Sequence, residues 1–491
     1  MTPFTRALGM VPLKYDQASE SWVDDISMSL GYVNASPKLQ KPVDKFKYRY
    51  LVSSPNTVFT PVSVWCAAVW GAIRKDAVWL WSQLQAEAGV ADGEMAPSWL
   101  ILTADTISES VARLNMVPDS AKSILDCFDV EQYYTNVPHQ DLLRQLRYVL
   151  GMVSSRRLRG LPGAQRVSDG AVWQLHLIVY KKELKFDHEW LILTEHDAQR
   201  KRSDKCLVLK IGDGANGPMQ LAEFVIMNAY FKLGDQMFRQ LIGIPMGANP
   251  SPAFADLYLV AYEIQFMLQF LHSGGPYIRA FLQWFSFIHR FQDDVFVAHC
   301  KYIHDGLALY VESFFQLDGL PHPRGFHGLY PGKFLNIAHE QCSQWHVLPD
   351  SPANMVHHQD VAIYLRVVKM GGQPVPKWQT RVYNKSIKFE AAGVQFVYYP
   401  DVSSLLSTRC KYGIVLSQSN RFVRRCTIPH DFFEAAARLI HYMVACKHYR
   451  LDYCLEFYVQ FCNHRLGIYG FFKLEQLVRP VRDAVNRLLS A

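Results

Sequence analysis

Across 491 residues, ten cysteines never form a Cys-x-x-Cys pair. That absence argues against zinc-ribbon and dithiol redox motifs and reads as reduced, intracellular thiols. No early apolar run reaches the ~18 residues of a membrane span. The most apolar one, Val58 to Ile73, contains Thr60, Pro61 and Ser63 and stops at Arg74-Lys75, so a buried helix is expected there and no membrane partner. Met1 to Leu13 has no sustained apolar core, so no secretory leader is read. Charged residues are only 19% of the chain against 49% hydrophobic, which excludes a largely disordered protein. The net charge of +7 suits a polyanionic partner without requiring one. No basic run is long enough for a clear nuclear signal; an intracellular protein, nuclear ahead of cytoplasmic, is the expectation.

Against that background, three stretches carry chemistry. Phe287 and Ile288 precede Arg290-Phe291-Gln292-Asp293-Asp294, and Val295, Phe296 and Val297 follow. The pattern predicts a buried β-hairpin with two carboxylates at its tight turn. Upstream, Ile124 to Val130 reads as an apolar strand ending in Asp129. A helix should follow, with Pro138 in its first turn and Leu142, Leu143, Leu146, Val149 and Leu150 as its apolar stripe. Between these stretches lies Gly243-Ile244-Pro245-Met246-Gly247, whose glycines permit close backbone approach. Ser251 is the expected N-cap of the next helix and Pro252 its first residue. Phe254, Leu257, Tyr258, Ala261, Ile264, Leu268 and Leu271 form its stripe. A second acidic pair, Asp24-Asp25, lacks such companions and reads as a surface turn.

A carboxylate at a strand end, facing two more on a hairpin, is what two-metal phosphoryl transfer requires. Like charges so close repel, so such acids either take up protons or gather divalent cations. Carboxylate oxygens suit Mg²⁺ or Mn²⁺, as two ions roughly 3.5–4 Å apart.

Phe128-Asp129 with Tyr134, then Gly-Ile-Pro-Met-Gly, then Phe-Gln-Asp-Asp resembles motifs A, B and C of reverse transcriptases, most closely those of Penelope-like retroelements, relatives of telomerase. Pro37-Lys38-Leu39-Gln40-Lys41-Pro42, with Arg49 and Ser53-Ser54, is similar to the fingers signature of that family. Asp129 to Pro138 resembles its motif A. Asn228-Ala229-Tyr230-Phe231, Gln240, Gly243 and Ser251 to Asp256 resemble its motif B region in order. The resemblance covers most of the chain. It implies an α+β right-hand polymerase of fingers, palm and thumb, with an antiparallel palm sheet flanked by helices.

The activity so implied is RNA-directed DNA synthesis from a primer 3′-hydroxyl. Asp129, Asp293 and Asp294 would bind two Mg²⁺ or Mn²⁺ ions, with Val130 beside them. Arg49 would grip the triphosphate with its planar fork, and Lys38 and Lys41 would contact template or phosphate. Tyr134 would stand under the sugar and exclude a 2′-hydroxyl, so that deoxynucleotides are preferred. Pro245, Met246 and Gly247 would border the templating pair, and Lys333 would protonate the leaving pyrophosphate. His357-His358-Gln359-Asp360-Val361 resembles the primer-grip hairpin, with Gln359 and Asp360 as its contacts. The implied partners are an RNA template, a DNA or RNA primer, the RNA–DNA hybrid and dNTPs.

Six divisions are expected: an N-terminal extension (1–35), fingers (36–122), motif A palm (123–150), a basic insertion (151–218), the remaining palm (219–375) and a thumb-like helical region (376–491). The insertion carries Arg156, Arg157 and Arg159 and a strand-like section, Val172 to Leu193; it reads as a solvated or template-touching elaboration. In the last third, Arg409, Lys411, Arg421, Arg424 and Arg425 alternate with aromatics, as suits a surface holding a duplex backbone. Phe432 to Lys447 and Leu451 to Asn463 read as helices. Cys446, His448, Cys462 and His464 lack a usual zinc spacing, and His346, His357 and His358 are equally irregular. Gly467-Ile468-Tyr469 resembles the opening of a GIY-YIG nuclease, but the 22 residues after it hold no partner motif, so a nuclease-lacking or domesticated copy is expected. The alternatives are an RNA-templated RNA polymerase, which Tyr134 disfavours, and a non-catalytic nucleic-acid-binding protein on a retained polymerase fold.

Overall fold

The computed structural model describes residues 13–16, 21–24, 31–37, 48–53, 59–117, 125–159, 172–180, 185–193, 206–211, 216–233, 236–245, 247–273, 282, 285–298, 335–342, 355–383, 399–466 and 474–490. In chain order, β1 (Leu13–Asp16), β2 (Ser21–Asp24), β3 (Gly31–Pro37) and β4 (Tyr48–Ser53) precede the helices α1 (Thr60–Glu87) and α2 (Thr106–Leu114). Next come β5 (Leu125–Glu131), the one-turn α3 (Tyr133–Asn136) and α4 (His139–Arg159). They are followed by β6 (Val172–Tyr180), β7 (Lys185–Leu193), β8 (Cys206–Ile211), α5 (Asn216–Met227), β9 (Tyr230–Leu233) and β10 (Gln236–Arg239). Then come α6 (Ser251–Ser273), β11 (Ile288–Phe291), β12 (Asp294–Ala298), β13 (Asn336–Cys342), β14 (Met355–His358), β15 (Val361–Met370) and β16 (Gln373–Val382). Four helices close the order: α7 (Thr408–Arg425), α8 (Pro429–Lys447), α9 (Leu451–Leu466) and α10 (Leu474–Ser490). The chain forms the expected mixture of helices and antiparallel sheet, with one parallel pair, β3 beside β9.

The sheet that positions the acids has the order β11-β12-β5-β13 and is antiparallel throughout. Strand alternation gives it two apolar faces. Phe128, Val130, Ile288, Val295 and Val297 join the main core with α1, α4 and α6. On the other face Leu125, Cys127, Phe296 and Ala298 pack with Ile107 and Val111 of α2 and with Val361, Ile363 and Trp378 of the β14-β15-β16 sheet. The edge of β11 is sealed by the segment before α2: the Arg290 amide donates to the Trp99 carbonyl at 2.7 Å, and the Ile101 amide to the Arg290 carbonyl at 3.0 Å. A covered edge cannot recruit a further strand.

Helix α6 is apolar nearly all round, and Phe254, Ala255, Leu257, Tyr258, Leu259, Ala261, Ile264 and Met267 are all buried, as such a pattern demands. The expected helix at Val58 to Ile73 is α1, which continues past Arg74 and Lys75 to Glu87. Among the described residues no helix is long and apolar enough to cross a membrane.

The strand-like section 172–193 is the hairpin β6–β7, extended by β8 into a sheet of order β7-β6-β8. It docks on α1 through one buried carboxylate, Asp76. Trp190 Nε1 donates to Asp76 at 2.6 Å, His188 Nε2 lies 3.0 Å away, and Arg157 donates at 2.6 Å. Arg156 and Arg159 pair with Glu87 at 2.7 and 3.7 Å. These three arginines belong to the last turn of α4 and pair with acids of α1, Arg159 with 68% of its side chain still exposed.

Several boundaries differ from expectation. The divisions after residues 35, 150, 218 and 375 fall inside β3, α4, α5 and β16. Changes in composition marked those places, but backbone hydrogen bonds run through them. Asp24 ends β2, opposite Leu13, and is a strand residue where a turn was expected. The Pro138 carbonyl accepts from the Leu142 amide at 2.9 Å, so Pro138 caps α4 one position before its first turn. The C-terminal helices share their own core, with Tyr412, Ile440, Met443, Tyr458, Phe461, Val481 and Val485 buried. Cys454 and Cys462 lie within it, and burial pushes their thiols up to about 12 and about 11. Both pack there as small apolar side chains.

Candidate active site

Strand register brings the acids together. Asp294 opens β12 directly opposite Asp129 of β5, and across the hairpin it faces Phe291. Asp293 occupies the connecting turn, and its carbonyl accepts from the Val130 amide at 3.0 Å. Carboxylate oxygens of Asp129, Asp293 and Asp294 lie within 4.8 Å of one another, and all three residues are half-buried. Like charges directly opposite on a sheet are destabilising. An all-oxygen donor set carrying three negative charges fits a hard divalent cation such as Mg²⁺ or Mn²⁺. Val130 has a buried side chain with no donor atom, so only its carbonyl could join the set.

The turn is held from inside the core. Arg290 is fully buried on β11 and pairs with Glu263 through Nε and, at 3.1 Å, through Nη2. It also reaches Asp256 Oδ1 at 3.3 Å, and Arg74 approaches Asp256 Oδ2 at 2.5 Å. Two acids and two guanidiniums make a neutral buried set. Burial pushes the Asp256 carboxyl up, and Arg74 and Arg290 oppose that shift. The same groups grip the turn: Arg290 Nη1 donates to the Gln292 carbonyl at 3.1 Å, and the Gln292 amide donates to Asp256 Oδ1 at 3.1 Å. Gln292 has φ 55°, a left-handed conformation that glycine normally supplies in two-residue hairpin loops. Without such bonds a side-chain-bearing residue there would relax.

The glycine loop is fastened to the segment after Asp129. The Gly243 amide donates to the Val137 carbonyl at 2.8 Å, and the Ile244 amide to the Tyr134 carbonyl at 2.7 Å. Gly243 has φ 93°, and a Cβ there would stand 2.4 Å from the Tyr134 carbonyl oxygen. His139 Nε2 donates to the Gly243 carbonyl at 2.9 Å. Burial, joined by the charge of Arg239, outweighs that bond and holds the imidazole below its ordinary value. Ser251 does not cap α6. The Phe254 amide bonds to the Pro250 carbonyl at 2.9 Å, which makes Pro250 the cap. The Ser251 hydroxyl instead donates to the Pro245 carbonyl and closes the loop on itself. Tyr134 is half-buried against the main core, edge-on to Tyr133, whose hydroxyl donates to the Ala255 carbonyl.

The β14–β15 hairpin brings in a residue assigned a different task by the sequence. Gln359 donates from its side-chain nitrogen to Asp294 Oδ2. Asp360 is engaged by Arg421 and Arg425 of α7, and Arg424 and Arg425 both reach Asp105 at 3.2 Å. Three arginines expected on a nucleic-acid surface therefore pair with acids of this chain, although Arg424 keeps 57% of its side chain exposed. Lys411 donates to the Val402 carbonyl at 2.6 Å, and Arg409 is exposed. A cavity of about 470 Å³ beside the hairpin is lined by Phe291, Gln359, Asp360, Asp105 and Arg425.

Arg49 lies in β4, opposite Ser36. Lys38, Lys41, Met246, Lys333, His346 and Gly467 to Tyr469 lie outside the described residues. Pro245 is buried and Gly247 exposed, with φ 95° for the latter. What sequence reasoning missed was the support: Asp256, Glu263, Arg290 and Arg74. Two acids seven residues apart inside an otherwise apolar helix were the available signal, since buried charges need partners.

No protein-family model matches the chain, and no curated protein matches it. Solved structures do. Telomerase from Candida albicans in complex with a TWJ fragment of telomeric RNA aligns with a TM-score of 0.48 and 9% identity, over 99% of this chain and 67% of that one. Apo telomerase from Candida tropicalis aligns with a TM-score of 0.37 and 10% identity, over 99% of this chain and 70% of that one. The Candida tropicalis telomerase with the TWJ fragment gives 0.38 and 11%, over 94% and 60%.

Proposed function

We propose that this chain is an RNA-directed DNA polymerase of the Penelope-like, telomerase-related type, extending a primer 3′-hydroxyl with deoxynucleoside triphosphates. One observation carries the reading: Asp129, Asp293 and Asp294 converge within 4.8 Å at one end of an antiparallel sheet. In this reading that sheet is the palm, the elements before β5 form the fingers, and α7 to α10 form the thumb.

The three acids would hold Mg²⁺ or Mn²⁺, which when bound supplies charge stabilisation to the triphosphate and makes the primer hydroxyl more acidic. The chain's own residues do the positioning. The buried Arg290 set fixes the turn bearing Asp293, so the carboxylates meet substrate with no reorganisation. Tyr134, half-buried and anchored through its carbonyl to Ile244, would set the floor beneath the sugar and exclude a 2′-hydroxyl. Arg49, Lys38, Lys41 and Lys333 would neutralise the triphosphate and the leaving pyrophosphate. Arg409 and Arg424 are the cations of α7 we assign to the phosphate backbone of an RNA–DNA hybrid. An RNA template, a DNA or RNA primer and dNTPs are the partners, and the nucleus is the compartment.

Primer extension by the purified chain tests this, on RNA and DNA templates, with deoxy- or ribonucleotides and Mg²⁺ or Mn²⁺. Deoxynucleotide extension on RNA that vanishes in Asp293→Ala is the expected result. Extension only with ribonucleotides would replace the reading with an RNA polymerase. Hybrid binding without extension under any condition would replace it with a non-catalytic binding protein.

A further inference from the structure

We propose that Gln359 is a positioning residue for Asp294, presented by a turn that Asp360 ties to helix α7. The inference deepens the polymerase reading and rests on it for the identity of the cation the acids hold. It also moves Gln359 from a primer contact to a partner of the acid cluster.

The hydrogen bond has one direction. An ionised carboxylate only accepts, so the amide nitrogen of Gln359 must be the donor to Asp294 Oδ2. That bond anchors one oxygen of Asp294 and disperses part of its charge. Partners of this kind orient carboxylates that ligate metals.

The turn that presents Gln359 is built to stay in place. Gln359 is the first residue of the two-residue link between β14 and β15 and has φ 58°. A side-chain-bearing residue in this region is unfavourable and persists only where its surroundings over-determine it. The next residue supplies that constraint. Asp360 takes Arg421 and Arg425 on its side chain, and its carbonyl accepts from the Tyr383 amide at 2.8 Å. Arg425 continues to Asp105 at 3.2 Å, at the start of α2. A continuous path of hydrogen bonds and ion pairs thus runs from Asp294 through one hairpin turn to the C-terminal helices.

A primer contact and a positioning residue differ in what their loss disturbs. A primer contact sets affinity for the nucleic acid, whereas a positioning residue sets affinity for the cation. The test is Mn²⁺ titration of the full chain, read by electron paramagnetic resonance, beside the affinity for an RNA–DNA hybrid read by fluorescence anisotropy. Gln359→Asn keeps a residue that tolerates left-handed backbone but is one methylene too short. It should weaken Mn²⁺ binding roughly tenfold while leaving hybrid affinity and the thermal midpoint unchanged. Asp360→Asn, which leaves Gln359 in place but loosens its turn, should shift Mn²⁺ binding in the same direction. Unchanged Mn²⁺ binding in both variants overturns the proposal, as does a loss of hybrid affinity alone in Gln359→Asn. Neither readout needs synthesis, so a parent chain that binds Mn²⁺ but extends no primer sinks the polymerase reading and leaves the role of Gln359 measurable. A parent chain that binds no Mn²⁺ overturns both.

Discussion

The backbone amide of Gln292 donates to the side chain of Asp256 at 3.1 Å, so the turn carrying Asp293 is fixed from within the hydrophobic core. Asp256 is itself fully buried and contacted by Arg74 and Arg290. A surface turn would wander with the solvent; this one inherits the rigidity of α6.

Removing one member of that buried set should be costly. Arg290→Met leaves Glu263 and Asp256 with one guanidinium between them, and the loss of a partner from a buried ion pair costs about 3–5 kcal/mol. Chemical denaturation should show a lowered midpoint of that size, and a change within 1 kcal/mol would mean that the set is not needed for stability.

Gly243→Ala should destabilise the chain by at least about 1–3 kcal/mol. Its φ of 93° is already unfavourable for alanine, and the added carbon meets the Tyr134 carbonyl oxygen at 2.4 Å. Gly93→Ala meets nothing within 4 Å and serves as the control, so thermal unfolding of the two variants should differ plainly.

His289 gives a pH dependence whose sign can be worked out. Burial, helped by the charge of Arg113, pushes its imidazole down to about 3, whereas an unfolded histidine titrates near 6.5. Between those values the unfolded chain binds a proton that the folded chain does not. This contribution is fully present above about pH 6.5 and falls by up to about 1.4 kcal/mol per pH unit as the pH drops towards 3. Equilibrium unfolding across that range should show the slope in the parent and a shallower one in His289→Gln.

Asp76 acts in the same sense at lower pH. Burial alone would raise its carboxyl, but the bonds from His188 and Trp190 and the charge of Arg157 outweigh burial and hold it below the usual range. Its contribution is present above the unfolded carboxylate value of about 3.9 and is lost as pH falls through the lower folded value. The stability difference between the parent and Asp76→Asn should therefore shrink on acidification. A difference constant with pH would show that Asp76 titrates alike in both states.

Tyr134→Ala tests substrate choice. Under the proposed function it should raise ribonucleotide incorporation relative to deoxynucleotide incorporation by at least about tenfold, a difference of about 1.4 kcal/mol between the two substrates. Single-nucleotide extension with each substrate measures the ratio, and an unchanged ratio removes Tyr134 as the gate.

Local signals carried far in this chain. The apolar run Val295-Phe296-Val297 after the acidic pair announced the hairpin, the stripe of Leu142, Leu146 and Val149 announced α4, and the apolar run after Ser251 announced α6. Helix α10 was not singled out within the helical region expected over 376–491, although Val478, Val481 and Val485, all buried, have helical spacing. Division points fared worse, because a change in composition need not interrupt a hydrogen-bonded helix or strand.

The sequence by itself determined where the three carboxylates of the proposed site lie: Asp129 at a strand end and Asp293-Asp294 at a tight turn follow from the apolar runs that flank them and from turn chemistry, which act over a few residues. Only the tertiary structure decided what holds them. That Arg290 belongs to Asp256 and Glu263, that Gln359 reaches Asp294, and that Arg421 and Arg425 are spent on Asp360 depend on elements tens of residues apart being packed together. Charged side chains find partners by proximity and desolvation, and neither is written in sequence spacing.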